Sequence, residues 1–421
     1  MRLKLHWQIL IALLLAVLVG WALTPASELF GITLLSVFDF VGKMFLNALK
    51  MIIVPLITAS IIVGVSGLGG GEDFGRLGGK TLLYYVVTST FAILIGIAVV
   101  NIIQPGIVDG EPAREILGLS ADTDAVTAKV EGKSAGDVVG IFLRMIPTNV
   151  VHAAAQGQML GIIFFGLLFG VFMTQIKQEH SRVLQSFWQG VFDVMMLITD
   201  LVMKFAPIGV FALVAKVVMI SGLEAFKPLL VFFFTVLIAL LIHIVVVMPL
   251  LLRLVARVSP VRHYQAMAPA LLTAFSTASS SATLPVTIDC IENRAGVSNR
   301  VTSFVLPLGA TVNMDGTALY ECVAAIFIAQ AYGLDLTVAQ QISVVVLALM
   351  TSIGVAGIPA ASLVAISIIL AAIGLPAEAI GLILAVDRVL DMCRTAVNVF
   401  SDSCGAVVVG KTEGEKNILA A

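Results

Sequence analysis

The chain has 421 residues, of which 59% are hydrophobic and only 12% are charged. Soluble proteins contain about 45–50% apolar and about 25% charged residues, so this composition excludes a soluble enzyme. The net charge of −2 argues against nucleic acid as a partner. A mean hydropathy of +1.08 predicts an all-α polytopic membrane protein.

The first half of the chain consists of apolar runs long enough for helices that cross a bilayer, which takes about 20 residues. We expect spans at about 7–23, 36–66, 81–104, 138–175, 188–220 and 228–255. The basic flank of the first run also fits a signal peptide, but no clear cleavage site follows, which favours an uncleaved span. Because several runs exceed 20 residues, tilted or kinked helices are expected, with Pro55, Pro147 and Pro207 as kink sites.

Basic residues predict the orientation, because cytoplasmic connections carry an excess of Lys and Arg. With a cytoplasmic N-terminus, the inside connections hold thirteen such residues and the outside connections hold four. We therefore expect both termini in the cytoplasm and the long polar connection 104–137 outside. The chain has no N-glycosylation sequon, which fits a protein of the bacterial plasma membrane.

The sequence does not match the enzyme and metal-binding motifs that it superficially resembles. The run 75–81 resembles the end of a P-loop, but Phe74 stands where that motif requires glycine. His152 and His243 lie in apolar stretches, where a packing role is favoured over a proton relay. The four cysteines show no metal-ligand spacing and are expected to be free thiols.

The second half of the chain has shorter apolar runs that are interrupted by small polar clusters, at 276–285, 309–317 and 352–362. Flanking segments such as 264–275 and 363–373 are too short to span, so we predict helical hairpins that enter and leave the membrane on one side. Backbone at such tips requires protein or water partners, so both tips should face a polar cavity. Paired interrupted segments indicate an inverted-repeat transporter with its site near the midplane.

The last helix carries a polar stripe. At about 100° per residue, the stripe residues all lie within about 60° of Asp391. They are Asp387, Arg394, Thr395, Asn398 and Asp402. An amphipathic surface helix is the alternative, but the opposite side presents Cys393, Val397 and Phe400 and no charge.

Seven ionisable residues fall in these apolar segments, and placing them there costs about 20 kcal/mol in total on the insertion scale. They are Asp315, Glu321, Asp387, Arg388, Asp391, Arg394 and Asp402. Five acids and two bases leave a formal charge of −3. The cavity should therefore bind protons or cations first and an anionic solute only afterwards, which would make the coupling obligatory.

Four motifs, in order along essentially the whole chain, resemble the glutamate/aspartate:cation symporter family, which includes the excitatory amino acid transporters. They are the serines 279–281, the run Asn313-Met-Asp-Gly-Thr317, the tip 354–359 and the segment 391–402. The resemblance implies eight transmembrane helices plus two re-entrant hairpins, assembled as a homotrimer. It also implies an elevator mechanism, in which a transport domain moves against a static scaffold.

The resemblance further implies where these domains lie. The scaffold would comprise helices 1 and 2 (1–80) and helices 4 and 5 with the external loop (105–220). The transport domain would comprise helix 3 (81–104) and residues 228–421. The latter segment would include hairpin 1 at about 262–294 and hairpin 2 at about 337–373.

Substrate contacts follow from the same resemblance. Arg394 would hold the side-chain carboxylate of the substrate, and Asp391 would bind its α-ammonium group. Gly357 in the second hairpin would close over the ligand. The remaining contacts would come from Thr317, Asn398, Ser280 and Ser281.

The resemblance implies three sodium sites built from oxygen ligands, which suit a hard cation. The first would use Tyr85, Thr88, Ser89, Asn313 and Asp315. The second would use Asp402 and the carbonyls of Gly309, Asn313 and Asn398. The third would use carbonyls near Thr311, Ser352, Ile353 and Val355.

Glu321 stands where proton-coupled members of the family have glutamate and others have glutamine, so we predict it as the proton carrier. A carboxylate permanently paired with Arg388 or Arg394 is the alternative. The chain departs from the family at Ala278 and Met392, where one or the other position commonly holds an additional arginine. Arg388, one turn before Met392, could supply that charge.

The predicted function is secondary import of acidic amino acids, L-glutamate or L-aspartate, coupled to protons, sodium or both. No enzyme activity, cofactor or nucleic-acid partner is expected. A C4-dicarboxylate:cation symporter of the same family is the alternative. A channel or an intramembrane hydrolase is disfavoured, because the chain lacks a Thr-Val-Gly-Tyr-Gly filter and a recognisable catalytic arrangement.

Overall fold

The structure, a computed structural model, describes residues 5–66, 72–114, 116–117, 146–156, 159–354, 361–376 and 379–419. These residues form helices and two minimal hairpins. The helices are α1 (Leu5–Ala22), α2 (Leu34–Ser66), α3 (Glu72–Ile103), α4 (Val150–Ala155), α5 (Met159–Met173), α6 (Gln178–Lys204), α7 (Ala206–Ser221), α8 (Phe226–Ile242), α9 (Met248–Leu251), α10 (Pro260–Thr277), α11 (Ser280–Asp289), α12 (Asn299–Val312), α13 (Asp315–Ala331), α14 (Val338–Gly354), α15 (Ala361–Ile373) and α16 (Ile380–Thr412). Short π-helical turns follow α8, α9 and α11, at His243–Val247, Leu252–Ala256 and Cys290–Ala295.

Two antiparallel hairpins of two-residue strands lie in the connections after α1 and α3. Strand β1 (Glu28–Leu29) pairs with β2 (Ile32–Thr33), and β3 (Ile107–Val108) pairs with β4 (Glu111–Pro112). Both central residues of each turn have positive φ, as in Asp109-Gly110. This conformation matches the type I′ turn that joins tightly paired strands. The hairpins are too short to alter the all-α character of the fold.

The helices pack in two groups. The peripheral group contains α1, α2 and α4 to α7, in which α2 contacts α5, α6 and α7, and α1 contacts α7. The central group contains α3 and α8 to α16, in which α13 contacts α3, α14, α15 and α16. Contacts between the groups are fewer and involve mainly α16 with α7 and α14 with α2 and α5.

Two helices form the middle of the central group. Every residue of α13 is buried, and so is every residue of α16 from 397 to 410. A helix that is buried on all sides has no solvated face, so its polar residues must find partners inside the protein. The ionisable residues of α13 and α16 are therefore held by specific contacts.

The helices of the central group break at the predicted polar clusters. Ala278 ends α10 in the left-handed region at φ 49°, and the Ser279 hydroxyl caps α11 by accepting from the Ala282 N–H at 3.2 Å. Asn313 has extended backbone and, with Met314, separates α12 from α13. Of the predicted tip of the second hairpin, 354–359, Gly354 ends α14 and the other residues lie outside the described residues.

Four helical segments within the described residues are long and apolar enough to cross a membrane, at Arg76–Ile103, Gln178–Lys204, Gly222–Ala256 and Asn299–Ala331. The run 188–220, predicted as one kinked span, is instead two helices that meet at Phe205. Pro207 lies in the first turn of α7, where its missing N–H costs no hydrogen bond. The predicted kink site is therefore a helix start.

Candidate functional site

A small cavity of about 20 Å³ lies where the α10–α11 turn meets α13, α15 and α16. Its lining includes five predicted substrate residues, Ser280, Thr317, Asp391, Arg394 and Asn398. It also includes five that the sequence interpretation did not assign to the substrate, Ala278, Ser279, Met314, Ser362 and Thr395. Predicted Ser281 is exposed and does not line the cavity. Predicted Gly357 lies outside the described residues.

Four charged residues of α16, which we call the arginine cluster, lie at and beside this cavity: Asp387, Arg388, Asp391 and Arg394. The Nε and Nη2 atoms of Arg394 donate to Asp391 Oδ1 at 3.1 and 2.9 Å, and its Nη1 donates to Asp387 Oδ1 at 3.1 Å. Arg388 Nη1 donates to Asp391 Oδ2 at 3.2 Å. Two acids and two bases make the cluster neutral, which offsets much of the cost of burying the charges.

Tyr320 of α13 fixes the arginine cluster from the side. Its ring centroid lies 4.5 Å from Arg394 Cζ, and its hydroxyl donates to Asp387 Oδ1 at 2.9 Å. A guanidinium over an aromatic ring gains a cation–π interaction that strengthens when both groups are dehydrated. Arg394, with a side chain only 2% exposed, is therefore held by two carboxylates and a ring.

Helix N-termini point their partial positive charge toward the same region. The first residues of α11 and α15 supply Ser280 and Ser362 to the cavity, and the first turn of α13 supplies Thr317. Asn398 of α16 caps α13, because its Oδ1 accepts from the N–H of Gly316 at 2.8 Å. Three converging N-termini form a favourable environment for carboxylate groups.

A second group of buried acids, which we call the carboxylate cluster, consists of Asp315 and Asp402. Asp315 Oδ1 accepts from the hydroxyls of Ser89 at 2.7 Å and Thr88 at 3.3 Å. Asp315 Oδ2 accepts from the Ser401 hydroxyl at 2.6 Å and lies 3.1 Å from His243 Nε2. All of these residues are buried.

Asp402 accepts from Asn313 Nδ2 at 2.8 Å, while Asn313 Oδ1 is buried without a partner. A Cβ atom on Gly309 would lie 2.5 Å from Asp402 Oδ1 and 2.7 Å from the Tyr85 hydroxyl. Only glycine permits this approach of α12 to α16 and α3. Within the described chain, no lysine or arginine lies within ion-pair distance of Asp315 or Asp402. The cluster therefore combines negative charge with oxygen ligands, which suits a hard cation.

The residues predicted for a third cation site are only partly described. The Thr311 hydroxyl donates to the Leu308 carbonyl at 2.9 Å, and the Ser352 hydroxyl donates to the Leu349 carbonyl at 2.9 Å. Ile353 continues α14 to its end at Gly354. Val355 lies outside the described residues. At the predicted third site, the hydroxyls of Thr311 and Ser352 therefore donate to carbonyls of their own helices.

Glu321 lies one turn after Thr317 in α13 and is fully buried. Its Oε2 accepts from the Thr351 hydroxyl at 2.9 Å, whereas its Oε1 has no hydrogen-bond partner. In the described structure its hydrogen bond runs to Thr351, and no ion pair joins it to Arg388 or Arg394. This geometry does not support the alternative of a permanently paired carboxylate.

Sequence reasoning missed several of these contacts. Asp387 was placed on the polar stripe but received no role, although the i, i+7 spacing to Arg394 could have indicated the pair. His243 was interpreted as a packing residue, and its Nε2 lies 3.1 Å from Asp315 Oδ2, at the start of a π-helical turn. Ser401 and Tyr320 gave no local signal. The four cysteines are free, as predicted.

Comparison with known proteins identifies the family. Residues 5–412 match the sodium:dicarboxylate symporter family. The chain is 36% identical over 412 residues to the proton/glutamate-aspartate symporter of Escherichia coli (strain K12), covering 98% of this chain and 93% of that protein. It is 37% identical over 417 residues to the proton/sodium-glutamate symport protein of Bacillus caldotenax, covering 99% and 96%. It is also 37% identical over 452 residues to excitatory amino acid transporter 3 of Mus musculus, covering 97% and 86%. The chain therefore belongs to the sodium:dicarboxylate symporter family, a family of secondary transporters and not of enzymes.

Proposed function

We propose that this protein is a secondary active symporter that imports L-glutamate or L-aspartate together with protons, sodium ions or both. The observation that carries this proposal is the buried Arg394–Asp391 pair at the cavity. A guanidinium binds a carboxylate through parallel hydrogen bonds, and a carboxylate binds an ammonium group. The pair therefore matches an amino acid with an acidic side chain, and the relatives named as glutamate and aspartate symporters agree with this.

Substrate binding requires an exchange of ion pairs. A cavity of about 20 Å³ holds roughly one water molecule, so an amino acid enters only after a rearrangement. The substrate carboxylate would replace Asp391 on Arg394, and the freed Asp391 Oδ1 would accept the α-ammonium group. Each buried charge keeps a partner during this exchange, which avoids the cost of an unpaired charge.

The α-carboxylate of the substrate would be held by neutral donors. The Thr317 hydroxyl accepts from Asn398 Nδ2 at 3.0 Å, so its own hydrogen is free to donate. Ser280 supplies a further hydroxyl from the first turn of α11. Donors of this kind, at the N-termini of interrupted helices, bind carboxylates in other transporter folds.

Sodium would bind as a co-substrate at the carboxylate cluster. The first site would use the hydroxyls and carboxylate that already meet at Asp315, and the second would use Asp402 and nearby carbonyls. Two acids without a lysine or arginine partner are costly to bury, so an incoming cation stabilises them. A substrate with net charge −1 would then enter a site whose acids are already neutralised. This order accounts for obligatory coupling.

Glu321 would carry the proton. An ionised carboxylate that is fully buried with one hydrogen bond is unfavourable, and the neutral acid is better tolerated. Glu321 adjoins the substrate residues on α13, so its protonation would accompany loading of the cavity. A glutamine at this position could make the same packing contacts but could not transfer a proton.

The architecture that we propose has eight transmembrane helices, two re-entrant hairpins and an elevator movement of the central group against the peripheral group. The separate packing of the two groups supports a moving and a static part. Exposed apolar residues along one side of α6 would face lipid or the other subunits of a homotrimer. They are Val183, Phe187, Val194, Leu197 and Leu201. Both termini would lie on the cytoplasmic side of the bacterial inner membrane.

Uptake into proteoliposomes would test the function and its coupling ion. Labelled L-aspartate and L-glutamate should accumulate under a sodium gradient alone, a pH gradient alone, or both. In Glu321→Gln, we expect loss of pH-driven accumulation with exchange retained, whereas the exposed-turn control Glu224→Gln should behave as wild type. Accumulation driven by pH in Glu321→Gln would remove Glu321 from the mechanism. A wild type that accumulates neither amino acid would defeat the proposal.

The same system separates amino acids from C4-dicarboxylates. Succinate lacks the ammonium group that Asp391 would bind, so Asp391→Ser should weaken L-glutamate and L-aspartate more than succinate. Equal losses for these ligands would contradict the assignment of Asp391.

A further inference from the structure

Two members of the arginine cluster, Asp387 and Arg388, do not line the cavity, and Arg388 is the basic one. Its side chain is 15% exposed, and its Nη1 lies 3.2 Å from Asp391 Oδ2. Its Nε is buried without a partner, so the contact with Asp391 is the hydrogen bond that the described structure gives this side chain. Arg388 therefore reaches the substrate position only through Asp391.

Asp391 is held between two arginines of the same helix. Arg388 lies three residues before it and Arg394 three residues after it, so all three share one face. The two oxygens of Asp391 have different partners: Oδ1 accepts from Arg394 and Oδ2 accepts from Arg388. The terminal torsion of an aspartate side chain is broad, so a carboxylate held at one oxygen turns easily.

Because the two oxygens of Asp391 have different partners, Asp391 keeps one of them when Arg394 binds the substrate. When a substrate carboxylate takes Arg394, Asp391 loses its contacts at Oδ1. The contact from Arg388 at Oδ2 then holds the carboxylate in place, with Oδ1 directed at the cavity. Without Arg388, Asp391 would follow the guanidinium of Arg394 and compete with the substrate for it.

We infer that Arg388 is a positioning residue for substrate selection, which holds Asp391 so that Oδ1 can accept the α-ammonium group of an acidic amino acid. The inference rests on the proposed function and adds a residue outside the cavity to it. It also explains how Arg394 can bind a substrate carboxylate while Asp391, on the same helix, stays available for the ammonium group instead of pairing with Arg394.

A purely electrostatic role for Arg388 predicts the opposite selectivity. Loss of a positive charge near the cavity disfavours a dianion more than a monoanion, because the interaction scales with ligand charge. Arg388→Gln would then weaken succinate, with charge −2, more than L-aspartate, with charge −1. A positioning role instead weakens L-aspartate more, because succinate does not use Asp391.

The test is the dissociation constant of purified Arg388→Gln for L-aspartate and succinate at saturating coupling cations. We expect L-aspartate to bind about tenfold more weakly, as for loss of a hydrogen bond to a charged group. Succinate should change less than twofold. Tyr320→Phe is the matched control, because it removes a hydrogen bond from Asp387 instead of Asp391. The control should leave the ratio of the two affinities unchanged.

A double-variant cycle gives a second readout that does not require succinate binding. In an Asp391→Asn background, Arg388→Gln should change the L-aspartate affinity by less than twofold if Arg388 acts through Asp391. Equal losses for both ligands, a larger loss for succinate, or an additive loss in the double variant would overturn the inference. These results leave the proposed function intact, whereas a wild type that binds neither L-aspartate nor L-glutamate would defeat the proposed function itself.

Discussion

The arginine cluster and the carboxylate cluster both bury carboxylates in the central helices, but they stabilise them in different ways. In the arginine cluster, Asp387 and Asp391 are neutralised by Arg388 and Arg394 on the same helix. In the carboxylate cluster, Asp315 is surrounded by hydroxyls and His243, and Asp402 by the amide of Asn313. Both sets of carboxylates are buried, so the difference lies in whether a permanent cation belongs to the protein.

This difference indicates which ligand each cluster can take. Under the proposed function, Arg394 would exchange Asp391 for the substrate carboxylate and Asp391 would accept the ammonium group, so the arginine cluster would bind an acidic amino acid. A cluster without lysine or arginine gains most from an exchangeable cation. The arginine cluster lies on α16 alone, whereas the carboxylate cluster joins Asp315 of α13 to Asp402 of α16.

Among the variants that distinguish the two clusters, removal of the Arg394 guanidinium should have the largest effect. In Arg394→Gln, Asp391 keeps Arg388 as its partner but Asp387 loses its ion pair, and the substrate carboxylate loses its bidentate partner. We expect L-aspartate and L-glutamate to bind at least about 100-fold more weakly, consistent with loss of a buried charge pair. Calorimetry on the purified protein would measure this. Wild-type affinity in Arg394→Gln would contradict the assignment of the arginine cluster.

Neutralising the carboxylate cluster should affect cations first. Asp315→Asn removes one of its two charges, so the cation concentration for half-maximal uptake should rise about 30-fold, as for loss of a close charged partner. Substrate affinity at saturating cation should change much less. Uptake at a series of sodium and proton concentrations checks this, with the exposed Asp193→Asn on α6 as control. An unchanged cation dependence would exclude Asp315 from the coupling site.

A substitution that adds bulk beside Asp402 can perturb the carboxylate cluster without changing its charge. The Cβ of Gly309→Ala would meet Asp402 Oδ1 at 2.5 Å, so Asp402 or α12 must shift. We expect about a tenfold rise in the required cation concentration, because small displacements of ligands weaken a coordinated site. Gly79→Ala, with no heavy atom within 4 Å of the added Cβ, is the matched control. Equal effects of the two variants would show that the approach at Gly309 is unimportant.

The smallest expected effect lies just after α16, outside the four described helical segments that are long and apolar enough to cross a membrane. Glu413, with a side chain 5% exposed, accepts from Lys80 at 2.6 Å and from Arg76 at 2.8 Å. These cations hold the pKa of Glu413 below its usual range. Because the lowered pKa belongs to the folded state, the stabilisation is present near neutral pH and is lost as the pH falls through that value.

Glu413→Gln should therefore lower the Tm by about 1–3 °C at pH 7, since the partners are partly exposed and such pairs contribute little. The difference from wild type should disappear on acidification below the usual carboxyl range. Thermal unfolding in detergent at several pH values measures it, with Glu415→Gln as a comparison at the neighbouring bond to Ser298. A difference that grows on acidification would contradict the ion-pair explanation.

Sequence reasoning located the breaks in the central helices and half of the residues that line the cavity. Ser280, Thr317, Asp391, Arg394 and Asn398 were predicted, and all line it. These are polar or charged residues in apolar segments. Burying such side chains in a membrane costs free energy, so their presence there indicates a function. The chain from 188 to 220 was predicted as one span, and hydropathy could not show the break at Phe205 because both halves are apolar.

The sequence by itself determined the membrane character, the polar stripe of α16 and the family, because composition, helical periodicity and motif spacing are local properties. Only the tertiary structure decided that Arg394 pairs with both Asp387 and Asp391 and that His243 meets Asp315. It also decided that Glu321 bonds to Thr351. The contacts of His243 and Glu321 depend on how separate helices pack, and the pairs within α16 depend on which rotamers that packing permits.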